Sequence, residues 1–128
     1  MDSKILQGLI LLTYKGKALL LHRNISPIDQ GQHPWSFIGN EKGDDGSSEE
    51  SISRQVEGEM SIKIKEVQTL AKYCYYARLT DNDVNSIKRE EGQLLDFFSL
   101  RELQKLNLSP STRQFISRYG NLIEGPSL

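Results

Sequence analysis

Ser47-Ser48-Glu49-Glu50-Ser51-Ile52-Ser53-Arg54-Gln55-Val56-Glu57-Gly58-Glu59-Met60-Ser61-Ile62 is the stretch on which the fold turns. Ser47 and Glu50 have the spacing of a capping box, in which each side chain satisfies a free backbone N–H at a helix start. A helix is therefore predicted from about Ser48 to Met60. Ile52, Val56 and Met60 recur at four-residue spacing and form one apolar stripe, so this helix should pack on a sheet. Gly58 sits inside it at a cost of roughly 1 kcal/mol relative to alanine. Upstream, Gly39, Gly43, Asp44, Asp45 and Gly46 have loop composition, preceded by a short predicted strand, Trp35 to Ile38.

Working outward, Ile5 to Tyr14 and Ala18 to His22 are apolar runs around Lys15-Gly16-Lys17, a hairpin signature. Residues Asn24 to Pro34 suit a loop. Lys63 to Val67 and Leu70 to Thr80 carry the β-branched and aromatic residues of strands, and the polar stretch Asp81 to Gly92 reads as a loop. A strand is predicted over Leu94 to Phe98. Ser99 with Glu102 makes a second capping box for a helix toward Leu106. Ser109 caps a last helix, with Pro110 in its first turn and Gly120 past its end. The order of elements is α+β, a mixed sheet with helices packed against it.

Trp35-Ser36-Phe37-Ile38-Gly39-Asn40, the loop and the helix together resemble the Nudix box: Gly, five residues, Glu, seven residues, then Arg-Glu-apolar-x-Glu-Glu-x-Gly-apolar. With Arg54 on the motif arginine, Val56 and Ile62 fall on the apolar positions and Glu59 on the second paired glutamate. Asn40, Gly46, Gln55, Gly58 and Ser61 depart from the pattern, and three of its four acidic positions are replaced. Glu90-Glu91-Gly92-Gln93 is similar to the family loop whose glutamate reaches back to the metal or activates water. Phe97 to Leu103 and Leu106 to Pro110 also look like the family's C-terminal part, so the resemblance covers almost the whole chain.

The resemblance implies the Nudix fold, a mixed β-sheet sandwiched between α-helices, in one domain over residues 1–128. It implies catalytic and metal-holding roles for Glu59 and Glu91, motif roles for Gly39, Arg54 and Gln55, and magnesium or manganese as cofactor if the chain is active. The departures have a physical consequence. Magnesium takes a near-octahedral shell of oxygens and bridges to substrate phosphates. Positions 55, 58 and 59 lie side by side on a helix, where this chain offers an amide, no side chain and one carboxylate. Gln55 coordinates weakly and cannot act as a base. Glu57 projects to nearly the opposite side. Weak metal binding is expected.

Composition narrows the classes. The 128 residues fit one domain and can bury a core. With 16 basic against 17 acidic residues the net charge is -1, which gives no field to attract a nucleic-acid polymer. Cys74, the single cysteine, excludes an intrachain disulfide and fits a reducing cytoplasm. The apolar run Leu9 to Leu12 is far short of the roughly 20 residues a membrane helix needs, so no membrane partner is expected.

Plainer readings accompany the sharper ones. Arg54 can form a surface ion pair with Glu50. Arg23, beside His22 at a strand end, can contact a substrate phosphate because its fork matches phosphate oxygens, though ordinary solvation serves as well. His33 lacks a neighbour at metal spacing. Tyr73, Tyr75 and Tyr76 read first as core or cross-strand residues, and Asp44 and Asp45 as turn formers. Three functions are compatible with these residues. The first is recognition of a nucleotide or other phosphorylated small molecule with weak or absent pyrophosphohydrolase activity. The second is an active hydrolase of nucleoside diphosphate-linked substrates, and the third a non-catalytic interaction module. A homo-oligomer is compatible with all three.

Overall fold

The structure, a computed structural model, describes residues 8–23, 34–40, 49–71, 73–88 and 93–124. Gly8–Tyr14 (β1) and Lys17–Arg23 (β2) form the expected antiparallel hairpin. Its turn uses positive φ at both Lys15 (50°) and Gly16 (80°), a geometry that matches the twist of the flanking strands. Ile38–Asn40 (β3) pairs antiparallel with the start of β1. Glu49–Met60 (α1) follows, then Gln68–Ala71 (β4), Cys74–Arg78 (β5), Asp81–Asn85 (α2), Gln93–Phe98 (β6), Leu100–Leu103 (α3), Pro110–Tyr119 (α4) and Asn121–Glu124 (α5).

The main sheet order is β4-β5-β1-β2-β6, with β3 also on β1. Among the described strands β1 and β5 pair in parallel and the other pairs are antiparallel, so the sheet is mixed. Strand alternation sends Ile10, Leu12, Leu19, Leu21, Tyr75 and Ala77 to one face, where Ile52, Val56 and Met60 of α1 are fully buried. Each of these three side chains stabilises the fold by roughly 1.5–3 kcal/mol through burial. Leu9, Leu11, Ala18, Leu20 and Tyr76 point the other way and meet Leu103 of α3, Phe115 of α4 and Ile123 of α5. The sheet is thus sandwiched between helices, as the resemblance implied.

Several boundaries differ from expectation. The strand predicted over Trp35 to Ile38 is shifted: Trp35 and Ser36 make only single bridges, to Leu108 and Leu21, and regular pairing begins at Ile38. Lys63 to Val67 is not a strand. Ile62 and Ile64 anchor it in the core, but Glu66 takes φ 58°, which breaks the extended run. Leu70 to Thr80 is not one strand either, because Tyr73 at φ 66° reverses the chain and makes a β4–β5 hairpin. The predicted loop after Thr80 contains α2, capped reciprocally by Thr80 and Asp83. The Ser47–Glu50 box cannot be compared, since Ser47 lies outside the described residues.

The C-terminal caps are as predicted. Ser99 and Glu102 exchange hydrogen bonds of 2.8 and 3.2 Å, and the Ser99 N–H holds the Glu102 carboxyl below the ordinary carboxylate range. Ser109 caps α4 and donates from its hydroxyl to Thr112 Oγ1 at 2.8 Å. Fully buried Thr112 also accepts from the Phe37 N–H at 3.0 Å, tying α4 to the segment before β3. Thr112→Val should therefore lower unfolding free energy by about 1–3 kcal/mol, the cost of leaving a buried donor unpaired. Urea denaturation would read this directly, and a loss of only a few tenths would mean that the Phe37 amide finds another partner.

Candidate functional site

The predicted site residues on α1 depend on which helix face looks away from the sheet. With Ile52, Val56 and Met60 buried, Gln55 and Glu59 are half-buried neighbours one turn apart, and the Gln55 amide donates to Glu59 Oε2 at 3.2 Å. Gly58 is exposed beside them, and a Cβ added there would meet nothing within 4 Å. Arg54 points to solvent, its Nη1 lying 3.4 Å from Glu50 Oε2 with both side chains largely exposed. That is the plainer of the two readings of Arg54, a surface ion pair of small energetic weight. The Glu49 carboxylate accepts from Thr69 Oγ1 at 2.5 Å, which ties the start of α1 to β4.

The carboxyl end of α1 is held by the segment after α2, whose Lys88 N–H donates to the Met60 carbonyl at 2.9 Å. Glu91 lies outside the described residues. Gly39 pairs with Leu9, and a Cβ there would strike the Gly8 carbonyl oxygen and come within 2.6 Å of Leu9 Cδ2. Arg23 is the last residue of β2, opposite Gln93; its side chain is outside the described set.

No protein-family model matches the chain, and neither does any curated protein. Solved structures do. A mutT/nudix family protein from Listeria innocua is 13% identical with a TM-score of 0.69, covering 97% of each chain. The MutT NUDIX hydrolase from Burkholderia pseudomallei is 18% identical with a TM-score of 0.66, over 92% of this chain and 99% of that one. The NUDIX domain of Shewanella oneidensis NrtR, solved with ADP ribose, is 15% identical with a TM-score of 0.59, over 94% and 89%. The fold is the Nudix fold.

On this fold Ser61 takes the place that the box pattern gives to its last glycine, and the backbone shows why glycine suits it. Ser61 has φ 62° and its N–H donates to the Glu57 carbonyl at 2.8 Å, a left-handed cap at the end of α1. Serine pays a steric cost there that glycine does not. Ser61→Gly should raise unfolding free energy by about 1 kcal/mol, seen as a higher urea midpoint at unchanged slope. An unchanged or lower midpoint would count against the left-handed cap.

The Nudix fold also assembles a cluster that the sequence did not single out. Trp35 packs against His22 at a tilt of 45° with ring centroids 4.9 Å apart and meets Phe98 edge-on at 5.0 Å. His22 Nδ1 is buried and lacks a hydrogen-bond partner among the described residues. Across the β2–β6 ladder His22 faces Leu94, which is 46% exposed. The surface is thus an aromatic and apolar one with an unsatisfied ring nitrogen, next in the chain to Arg23. Its only sequence signal was the pair His22-Arg23, since the bridge that brings Ser36 to Leu21 is long-range.

As for cofactors, no three His, Cys, Asp or Glu side chains among the described residues are grouped to hold a metal ion. Gln55 and Glu59 alone are too few oxygen donors for an octahedral magnesium shell, so the described residues do not fit that ion by themselves. Burial pushes the half-buried Cys74 thiol above its ordinary value, partly offset by Arg118, so it is not a poised nucleophile. No helix among the described residues is long and apolar enough to cross a membrane.

Proposed function

We propose that this Nudix-fold chain binds a nucleotide or another phosphorylated small molecule in the cytoplasm and hydrolyses pyrophosphate bonds weakly or not at all. The observation that carries this reading is the α1 face. Its single carboxylate, Glu59, receives the neutral Gln55 amide, and Gly58 adds no ligand at the adjoining position. A shared cation needs several oxygens converging from such a face. The ligand side of the reading is supported by the His22–Trp35 surface next to Arg23, where the half-buried indole and exposed Leu94 offer an apolar face to a base or similar group. It is supported too by the ADP ribose bound to the Shewanella domain of the same fold.

Glu91 is the residue that would add a carboxylate under the competing reading, as the likeness of Glu90-Glu91-Gly92-Gln93 to the family loop implies. Trp35 is the only tryptophan, so its fluorescence reports on this surface alone. The test is a titration with nucleoside triphosphates, dinucleoside polyphosphates, nucleotide sugars and ADP ribose, with magnesium or manganese, read by that fluorescence and by product release. Saturable quenching without turnover is expected. Rapid metal-dependent turnover would establish an active hydrolase instead, and no binding of any compound would favour an interaction module.

A further inference from the structure

Among the described residues, a groove runs along the far side of the sheet from α1, between α5 and the β4–β5 edge. It has two adjoining lobes, about 320 and 190 Å³, which share Tyr76, Arg78 and Leu122. Ligand pockets commonly begin at about 300 Å³. Parallel pairing of β1 with β5 puts Thr13 beside Arg78, and antiparallel pairing of β4 with β5 puts Gln68 beside Tyr76. The floor carries two polar side chains that are more than nine-tenths buried, Thr13 and Tyr76. The Tyr76 hydroxyl accepts from Arg78 Nε at 3.3 Å, which fixes the guanidinium at the rim.

That bond leaves both Nη groups of Arg78 without an acceptor among the described residues, a fork suited to two oxygens of one oxyanion. Lys65 lines the same lobe and has no ion-pair partner among the described residues, while Lys15 lines the other and lies 3.9 Å from Asp81. Two carboxylates, Glu66 and Glu124, also line the groove, so its cations exceed its carboxylates by one. That balance suits one phosphate group better than a polyanion. The apolar side chain of Leu122, common to both lobes, leaves room for the organic part of a phosphate ester.

We propose that this groove is a second binding site, for a small phosphate monoester whose phosphate is held by Arg78 and Lys65 beside the Tyr76 hydroxyl, with the Thr13 lobe adjoining. It is separate from the α1 face: Tyr76 and Leu122, which line it, belong to the core on one face of the sheet, whereas Ile52, Val56 and Met60 of α1 pack on the other. The site does not depend on whether the α1 face hydrolyses anything.

The test titrates the full chain with inorganic phosphate, ribose 5-phosphate and ribose, followed residue by residue through backbone amide NMR shifts. Phosphate and ribose 5-phosphate should perturb Thr13, Gly16, Ala77 and Arg78 saturably, leave Gln55 and Glu59 unmoved, and lose effect as salt rises. Ribose should do nothing. The Lys65→Gln/Arg78→Gln variant, changed only at exposed positions, should bind at least tenfold more weakly with an unaltered melting temperature. Tyr76→Phe, which keeps the ring in the core, should weaken binding in the same direction. Perturbation confined to the α1 end, equal binding by the double variant, or a response to ribose matching that to ribose 5-phosphate would each overturn the proposal.

Discussion

Restoring glutamate at positions 55 and 58 together should raise magnesium-dependent pyrophosphate hydrolysis at least about tenfold, equivalent to roughly 1.4 kcal/mol of barrier. Gln55→Glu turns the amide that now donates to Glu59 into a second carboxylate on the same helix turn. Gly58→Glu fills open space, since nothing lies within 4 Å of a Cβ there, and replaces a poor helix former by a good one. Without metal, the new 55–59 pair sets like charges one turn apart and costs about 0.2–0.5 kcal/mol. The helix gain at 58 offsets that. Magnesium should then raise the melting temperature of the double variant more than that of the parent, because an ion that binds only the folded state stabilises it by mass action. Each single change should do less than the pair, as ligands to one ion act as a unit. A parent chain that already hydrolyses its substrate rapidly, with no gain in the double variant, would show that the replaced carboxylates never limited activity.

Gly39→Ala should cost about 3 kcal/mol or more, a large share of the 5–15 kcal/mol that holds a typical fold. The added methyl collides with the Gly8 carbonyl oxygen, which is main chain and cannot rotate aside, and with Leu9 Cδ2. Relief requires β3 to part from β1, and with it Ile38, which is 2% exposed in the core that receives α1. The effect should appear in urea unfolding as a sharply lowered midpoint. A loss below about 1 kcal/mol would mean that β3 does not lie in this register against β1. Gly58→Ala, at an open and exposed helix position, supplies the control and should be stabilising by up to roughly 1 kcal/mol.

Local rules were enough for much of this molecule. The four-residue spacing of Ile52, Val56 and Met60 told which face of α1 is buried, and the Ser99–Glu102 and Ser109–Pro110 signals located the starts of α3 and α4. These succeed because a cap or an amphipathic stripe involves residues within one or two turns. The same reasoning told which box positions carry carboxylates, since a side chain's charge is a property of its residue type. Thr80–Asp83, a capping box of the same kind, starts α2 inside a stretch whose polar composition reads as loop.

Other features exist only in three dimensions. Tyr73 reverses the chain at a positive φ with none of the glycine, asparagine or proline chemistry that marks such turns, because pairing of β4 with β5 outweighs its local preference. Gly39 looked like a loop glycine, and its requirement comes from a neighbouring strand more than 25 residues earlier in the chain. The tilted contact of Trp35 with His22 depends on the bridge between Ser36 and Leu21. The Tyr76–Arg78 groove depends on the parallel pairing of β1 with β5, which sets Thr13 beside Arg78. Long-range strand pairing chooses which distant residues become neighbours, and no periodicity within a single segment encodes that choice.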